Sequence, residues 1–281
     1  MVKLAYHGFT PAAAALLRCL CQIPITFLVL KGLGKPLHID RKVWKGVAIG
    51  GAINSGVYMI LFMEGMKRTS AGQGAIALAT APIFVAVLSG ILGQEKVTWK
   101  ILVGSLIAFV GVGIAESGSH GLQGGDLMGT LLCLLSAFVW AISVSFLRTA
   151  IDSEDAMTVF AWSLVAASVV LIPYGFYPLL HTRFDQVAVE GWVGFTYMVL
   201  MAGVGGFTAY YLAIAKVGAS RASMTSYVIP IVAAFAAWPL LGTSPSSAHL
   251  MGLALVLCGV GFVNWNRRPA PKPVLEGESL L

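Results

Sequence analysis

Apolar positions along this chain gather into long, nearly unbroken runs separated by short polar stretches. Nine runs approach the ~20 residues that an α-helix needs to cross a bilayer. They are residues 12–30, 44–63, 72–92, 99–115, 127–147, 156–180, 192–215, 222–241 and 248–264. Each predicts a membrane-spanning helix. The connections carry turn formers, as in Lys31-Gly-Leu-Gly-Lys-Pro36, Glu116-Ser-Gly-Ser-His-Gly121 and Gly242-Thr-Ser-Pro-Ser-Ser247. From Arg267 onward the chain is polar and Pro-rich, which predicts a disordered tail. The first ten residues lack the apolar core and cleavage motif of a signal peptide.

Composition agrees with the pattern. Of 281 residues, 58% are hydrophobic and 11% charged, where a soluble domain carries about 25% charged residues. The mean hydropathy is +0.85. A soluble fold has nowhere to bury so much apolar surface, whereas a lipid bilayer accepts it. The 32 glycines fit as well, since small residues let spanning helices approach closely. The net charge of +6 is no nucleic-acid footprint, because the basic residues lie in loops between apolar runs. Cys19, Cys21, Cys133 and Cys258 all sit within apolar runs and lack metal-ligand spacing, so they read as buried thiols.

The two halves repeat with an offset of 148 positions. Trp44 falls on Trp192, Gly46 on Gly194, Ala71 on Ala219, Pro82 on Pro230, Ile83 on Ile231 and Ala86 on Ala234. Leu102 falls on Leu250, Gly104 on Gly252, and Gly111-Val-Gly113 on Gly259-Val-Gly261. A Trp, a Pro and a Gly-Val-Gly in one register indicate duplication. The run at 127–147 has only residues 1–8 as its counterpart in the first half. Nine full spans and the stub of a first are therefore expected. Either about 18 residues of that first helix are missing upstream, or the protein has nine helices.

Lys and Arg set the expected topology. If the loop at residues 31–45 is cytoplasmic, thirteen basic residues fall inside and three (Lys67, Arg68 and Arg183) outside. The positive-inside rule then places the C-terminus in the cytoplasm. Five helices per repeat give the halves opposite orientations, as in transporters built from inverted repeats. The expected location is the cytoplasmic (inner) membrane, crossed many times.

Three stretches carry a resemblance to a known family: Trp140-Ala-Ile-Ser-Val-Ser-Phe-Leu-Arg148, the segment from Lys3 to Arg18, and Gly65-Met-Lys-Arg-Thr-Ser-Ala with the later Ala-Pro-Ile-Phe and Leu-Gly-Gln-Glu95. With the repeat, the chain resembles EamA-type transporters of the drug/metabolite transporter superfamily. The resemblance implies ten helices in two inverted repeats, with residues 1–121 as a truncated first repeat, 122–266 as the second and 267–281 as a cytoplasmic tail. It also implies export. The acidic residue after Leu-Gly, here Glu95, has no counterpart in the second half, which reads Leu-Gly-Thr-Ser-Pro.

No enzyme constellation is present: there is no Gly-x-Ser-x-Gly, His-Glu-x-x-His or P-loop. No cofactor is implied. Arg18 is the one charge well inside a span. It reads either as an anchor for an anionic group of the substrate or as a side chain snorkelling to the interface or bound to a carbonyl. No Asp or Glu lies deep in any run, which favours facilitated exchange or export down a gradient over proton coupling.

Neutral polar and aromatic residues form the candidate cavity. Asn54 and Tyr58 share one helix face, Gln73 and Thr80 another, and Trp140 and Ser143 a third. Tyr210 and Tyr211 lie on the run at 192–215, and Ser223, Ser226, Tyr227 and Pro230 follow helical spacing on the next. Together they would offer hydrogen bonds and aromatic walls to a small amphipathic solute. Interhelical hydrogen bonding is the alternative use of such residues. Pro82 and Pro230, matched between halves, read as hinges. The Gly stripes on the runs at 99–115 and 248–264 suit tight helix packing, within one chain or between two of a homodimer. The expected partners are thus a small-molecule substrate and lipid. A lipid-linked-group flippase and a membrane receptor or scaffold are the rival readings.

Overall fold

The computed structural model describes residues 2–117, 126–228 and 247–264. Its elements are helical throughout, with no strand among the described residues. A stub, α1 (Val2–Ala5), precedes α2 (Pro11–Gly32). One long span joins α3 (Arg41–Gly51), a π-helical segment π1 (Ala52–Val57) and α4 (Tyr58–Arg68). There follow α5 (Ala71–Leu78), α6 (Ala81–Ile91), α7 (Trp99–Ser117), α8 (Leu127–Ser153) and α9 (Ala156–Leu180). A second composite span runs α10 (Val189–Val199), π2 (Leu200–Phe207) and α11 (Thr208–Val217). The short α12 (Ala219–Ser223) leads into a 3-10 turn at Met224–Tyr227, and α13 (Ser247–Asn264) closes the described chain.

Among the described residues six helices are long and apolar enough to cross a membrane, and Trp99–Ala115 and Leu250–Val263 are shorter apolar helices. The protein is thus an all-helical, multi-pass membrane protein. Large apolar side chains face outward along these helices, as at Leu28 (69% exposed) and Val169 (70% exposed). A bilayer, unlike water, takes them at no cost. The run expected at 222–241 is described only to Val228, and Pro230 lies outside the described residues.

Helix starts follow the sequence. Thr10 accepts a hydrogen bond from the Ala13 amide (3.2 Å) and Pro11 occupies the first turn of α2. Asp155 caps α9 through the amides of Met157 (3.0 Å) and Thr158 (3.2 Å), and Ser70 caps α5. The alanine run at the start of α2 is fully buried and lets that helix pack along α9. The main core joins α2, α4, α8, α9 and α11 through Leu16, Met63, Leu147, Phe160, Leu171 and Ile214.

A second core lies between α7 and α13, which pack against each other along their glycines. A Cβ at Gly111 would lie 2.8 Å from the Gly252 carbonyl oxygen, and one at Gly252 2.5 Å from that of Gly111. Gly104 and Gly259 repeat the contact. The stripes therefore pack within this chain. Gly113 and Gly261 face open space.

Pro82 does not bend a continuous helix. The chain breaks into a turn at Ala79-Thr80, and Pro82 starts α6. Having no N–H, Pro82 would leave the Leu78 carbonyl unpaired in a continuous helix. The Thr80 hydroxyl instead donates to the Ala77 carbonyl (2.6 Å), and the amides of Ile83 and Phe84 turn back to Thr80.

Candidate functional site

The two π-helical segments begin 148 residues apart, the offset of the sequence repeat. In π1 the Tyr58 amide reaches back five residues to the Ile53 carbonyl. A switch from α to π leaves a carbonyl without its helical donor, and such segments gather at functional sites. At the start of π2 the Gln22 amide fills that role, donating to the carbonyls of Met198 and Val199 (both 3.4 Å).

Between the π segments lies an aromatic cluster. Trp140 is its hub, with ring centroids 5.0 Å from Tyr58, 5.2 Å from Tyr210 and 5.5 Å from Phe207. Phe207 stacks on Phe160 (5.7 Å), which contacts Tyr211 (5.1 Å). Tyr58, Trp140, Phe207 and Tyr210 are half-buried. Hydrogen bonds link the polar groups behind the rings. Asn54 donates to the Tyr211 hydroxyl (2.9 Å), which shares a hydrogen bond with Ser163 (3.2 Å). Tyr210 and Ser223 are 2.8 Å apart.

Of the sequence candidates, Asn54, Tyr58, Trp140, Tyr210, Tyr211 and Ser223 thus come together. Others go elsewhere. Gln73 accepts from Thr69 at the α4–α5 turn (3.0 Å), Thr80 serves the α5–α6 break, and Ser143 bonds the Trp140 carbonyl of its own helix (2.6 Å). Ser226 is half-buried in the 3-10 turn. Tyr227 is wholly buried in the second core with Ala108, Val112 and Val256. Tyr227→Ala should therefore lower stability by about 3 kcal/mol, the scale of an emptied aromatic site. Thermal unfolding in detergent tests this; an unchanged Tm would place the ring outside the core.

Arg18 stands beside the cluster and is 6% exposed, so it does not snorkel. Its guanidinium lies 5.6 Å from the centre of the Phe207 ring, and Nη1 meets the Met59 sulfur at 3.3 Å. Its Nε is buried without a hydrogen-bond partner. Arg18, Gln22, Ser55, Met59, Phe160 and Phe207 line a cavity of about 10 Å³, room for a single water. One wall comes from each π segment: Ser55 from π1 and Phe207 from π2.

Comparison with known proteins decides the family. The model of the EamA-like transporter family matches residues 1–115 and 127–265. The chain belongs to the EamA-like transporter family. It is 27% identical over 263 residues to the uncharacterized transporter YdfC of Bacillus subtilis, covering 93% of this chain and 84% of that one. It is 26% identical over 280 residues to a probable terminal-alkyne amino-acid exporter of Streptantibioticus cattleyicolor, covering 97% and 91%. A crystal structure of a protein 15% identical superimposes with a TM-score of 0.74 over 93% of this chain and 89% of that chain, which shows the shared fold.

The EamA-like transporter has a second polar cluster that sequence reasoning missed, at the end of the bundle bearing the loop at residues 31–45. Glu95, just beyond α6, accepts hydrogen bonds from the amides of Ala219 and Ser220 (3.2 Å for the latter) at the start of α12. Arg148 on α8 lies 3.8 Å from Glu95 and donates to the Ile214 carbonyl of α11 (2.7 Å) and to Asp152 (3.0 Å). Gln94 donates to the Ser145 carbonyl (2.8 Å). Together they pin the α11–α12 turn to α6 and α8. Gly218 in that turn has φ +87°, and a Cβ there would sit 2.5 Å from a Glu95 oxygen. Nearby, Lys35 pairs with Asp155. Burial raises the Asp155 carboxyl, but hydrogen bonds from Lys35 and the amides of Thr158 and Met157 outweigh it and hold it below the usual carboxylate range.

Proposed function

We propose that this transporter moves a small amphipathic metabolite, an amino acid or a similar solute, out across the cytoplasmic membrane by alternating access. The observation that carries the reading is the pair of π segments in matching positions flanking one half-buried aromatic cluster. Helix irregularity inside a membrane is tolerated where it lines a solute path, and matched irregularities in two repeats suit a central site reached from either side. On this reading the repeats are inverted, nine spans and a stub make up the chain, and the thirteen-to-three distribution of basic residues puts the Glu95 cluster and the C-terminus in the cytoplasm. The named amino-acid exporter among the relatives supports the substrate class and the direction.

Counterflow in proteoliposomes tests it. Purified transporter loaded with unlabelled amino acids should take up a labelled one. Trp140→Ala should cut that uptake at least tenfold, a loss of about 1.4 kcal/mol in transition-state stabilisation, because Trp140 touches Tyr58, Phe207 and Tyr210 at once. Trp140→Phe should retain part of it, and both variants should elute as folded protein. Undiminished uptake by Trp140→Ala would move the path away from this cluster. Failure of every amino acid to exchange would remove the substrate class.

A further inference from the structure

We infer that Arg18 is the recognition point for the carboxylate of the transported solute, so that the substrates are monocarboxylates with an apolar body. This rests on the transport reading above and names its substrate class.

The argument begins with charge. A guanidinium inside a spanning helix is costly, and proteins offset the cost with an acidic partner. Arg18 has none: no Asp or Glu among the described residues lies within 4.0 Å of it. The carboxylates near the bundle are occupied elsewhere, Glu95 by the α12 amides, Asp155 by Lys35 and Glu64 by Tyr174 (2.6 Å). What Arg18 does have is weak. A thioether is a poor acceptor, the Phe207 face attracts a cation only modestly, and Nε has no acceptor at all. A planar fork of donors held in this way matches a carboxylate in shape and charge.

The surroundings add two constraints. Among the described residues Arg18 is the one cation lining the cavity, so a single carboxylate charge matches it, whereas a dianion such as phosphate would bring a second negative charge with no cation there to meet it. Ala15, Leu164, Leu171, Phe160 and Phe207 supply apolar walls. Phe207 touches both Arg18 and the Trp140 ring. Head and body of the solute would thus meet at this ring: carboxylate at Arg18, hydrocarbon along Trp140, Tyr58 and Tyr210. The cavity in this structure admits only a water, so the carboxylate enters as the helices part.

The test uses full-length transporter and three probes: 3-phenylpropionate, 2-phenylethylamine and L-phenylalaninamide. In detergent, 3-phenylpropionate should raise the Tm of the wild type, and the amine and amide should not. Arg18→Met should be folded and at least as stable as the wild type, since it removes an unpaired buried charge, and should lose the shift. Arg18→Lys should keep a smaller one. In proteoliposomes, 3-phenylpropionate should compete with counterflow of L-phenylalanine, and Arg18→Met should lower the affinity at least tenfold. An amide that shifts Tm as well as the acid, or an Arg18→Met protein that keeps the acid's shift, overturns the carboxylate assignment whether or not transport is seen. A wild type that binds the acid through Arg18 but exchanges no solute overturns the transport reading alone.

Discussion

Gly111→Leu should abolish the folded transporter, while Gly113→Leu, two residues along the same helix, should leave it intact. The two positions look alike in sequence, both belonging to a Gly-Val-Gly that recurs on α13. In space they are opposites. A Cβ at Gly111 would meet the Gly252 carbonyl at 2.8 Å, the Leu255 Cβ at 2.9 Å and the Val256 amide nitrogen at 2.9 Å. Two of these are backbone atoms of a helix, which cannot turn aside, so the helices must separate. Overpacking costs about 1–3 kcal/mol where side chains can give, and more where they cannot. Separation would also strip the contacts of Ala108, Val112, Val256 and Val263. Spanning helices associate through this packing, because lipid gives them no hydrophobic drive to meet. Around Gly113 nothing lies within 4 Å, so a leucine there only adds lipid-facing surface. Monodispersity on gel filtration separates the two outcomes. A well-behaved Gly111→Leu protein would show that α7 and α13 are not in contact.

The second large effect is expected at Glu95. Glu95→Ala should reduce transport more than tenfold and open the Lys31-bearing end of the bundle to water-soluble reagents. Its carboxylate is held by two amides of α12 and faces Arg148, so one side chain ties α6, α8 and the α11–α12 turn. Hydrogen bonds to a charged group contribute about 1.5–3 kcal/mol each, and two of them are lost together with the ion pair. Ser220 is fully buried beneath this contact. In a Ser220→Cys background, labelling by a charged maleimide should be slow with Glu95 present and fast without it. Equal labelling rates would mean that this end is held shut by something else.

Six long spans and the glycine seam were legible because they rest on coarse physics: a bilayer needs about twenty apolar residues, and backbones approach only where side chains are absent. Asn54, Tyr58, Trp140 and Tyr210 were legible as inward-facing because polar or half-polar groups avoid hydrocarbon. Tyr227 escaped for a local reason. Its expected position assumed that Ser223, Ser226 and Tyr227 continue one α-helix, but the 3-10 turn at Met224–Tyr227 advances 120° per residue and delivers the ring to α7. Gln73 and Thr80 were read by spacing within one helix that in fact breaks at Ala79. Glu95 was read against its missing counterpart in the second half, which hid its partners: two backbone amides and an arginine that no repeat alignment brings together. Phe207 and Phe160 gave no polar signal at all.

The π segments have a consequence for how such chains can be compared. A π turn carries more residues than an α turn between the same two ends of a span. Each composite helix here therefore holds spare length at mid-membrane, where Tyr58 follows π1 and Phe207 ends π2. A related chain could lack one residue in that stretch and still begin and end its helix at the same places, with only the rings beyond the deletion swung to a new bearing. An alignment would record a gap inside a transmembrane helix and score it as damage. In three dimensions it would be a change in the aromatic cluster, and so in the proposed solute path, made without disturbing the scaffold around it.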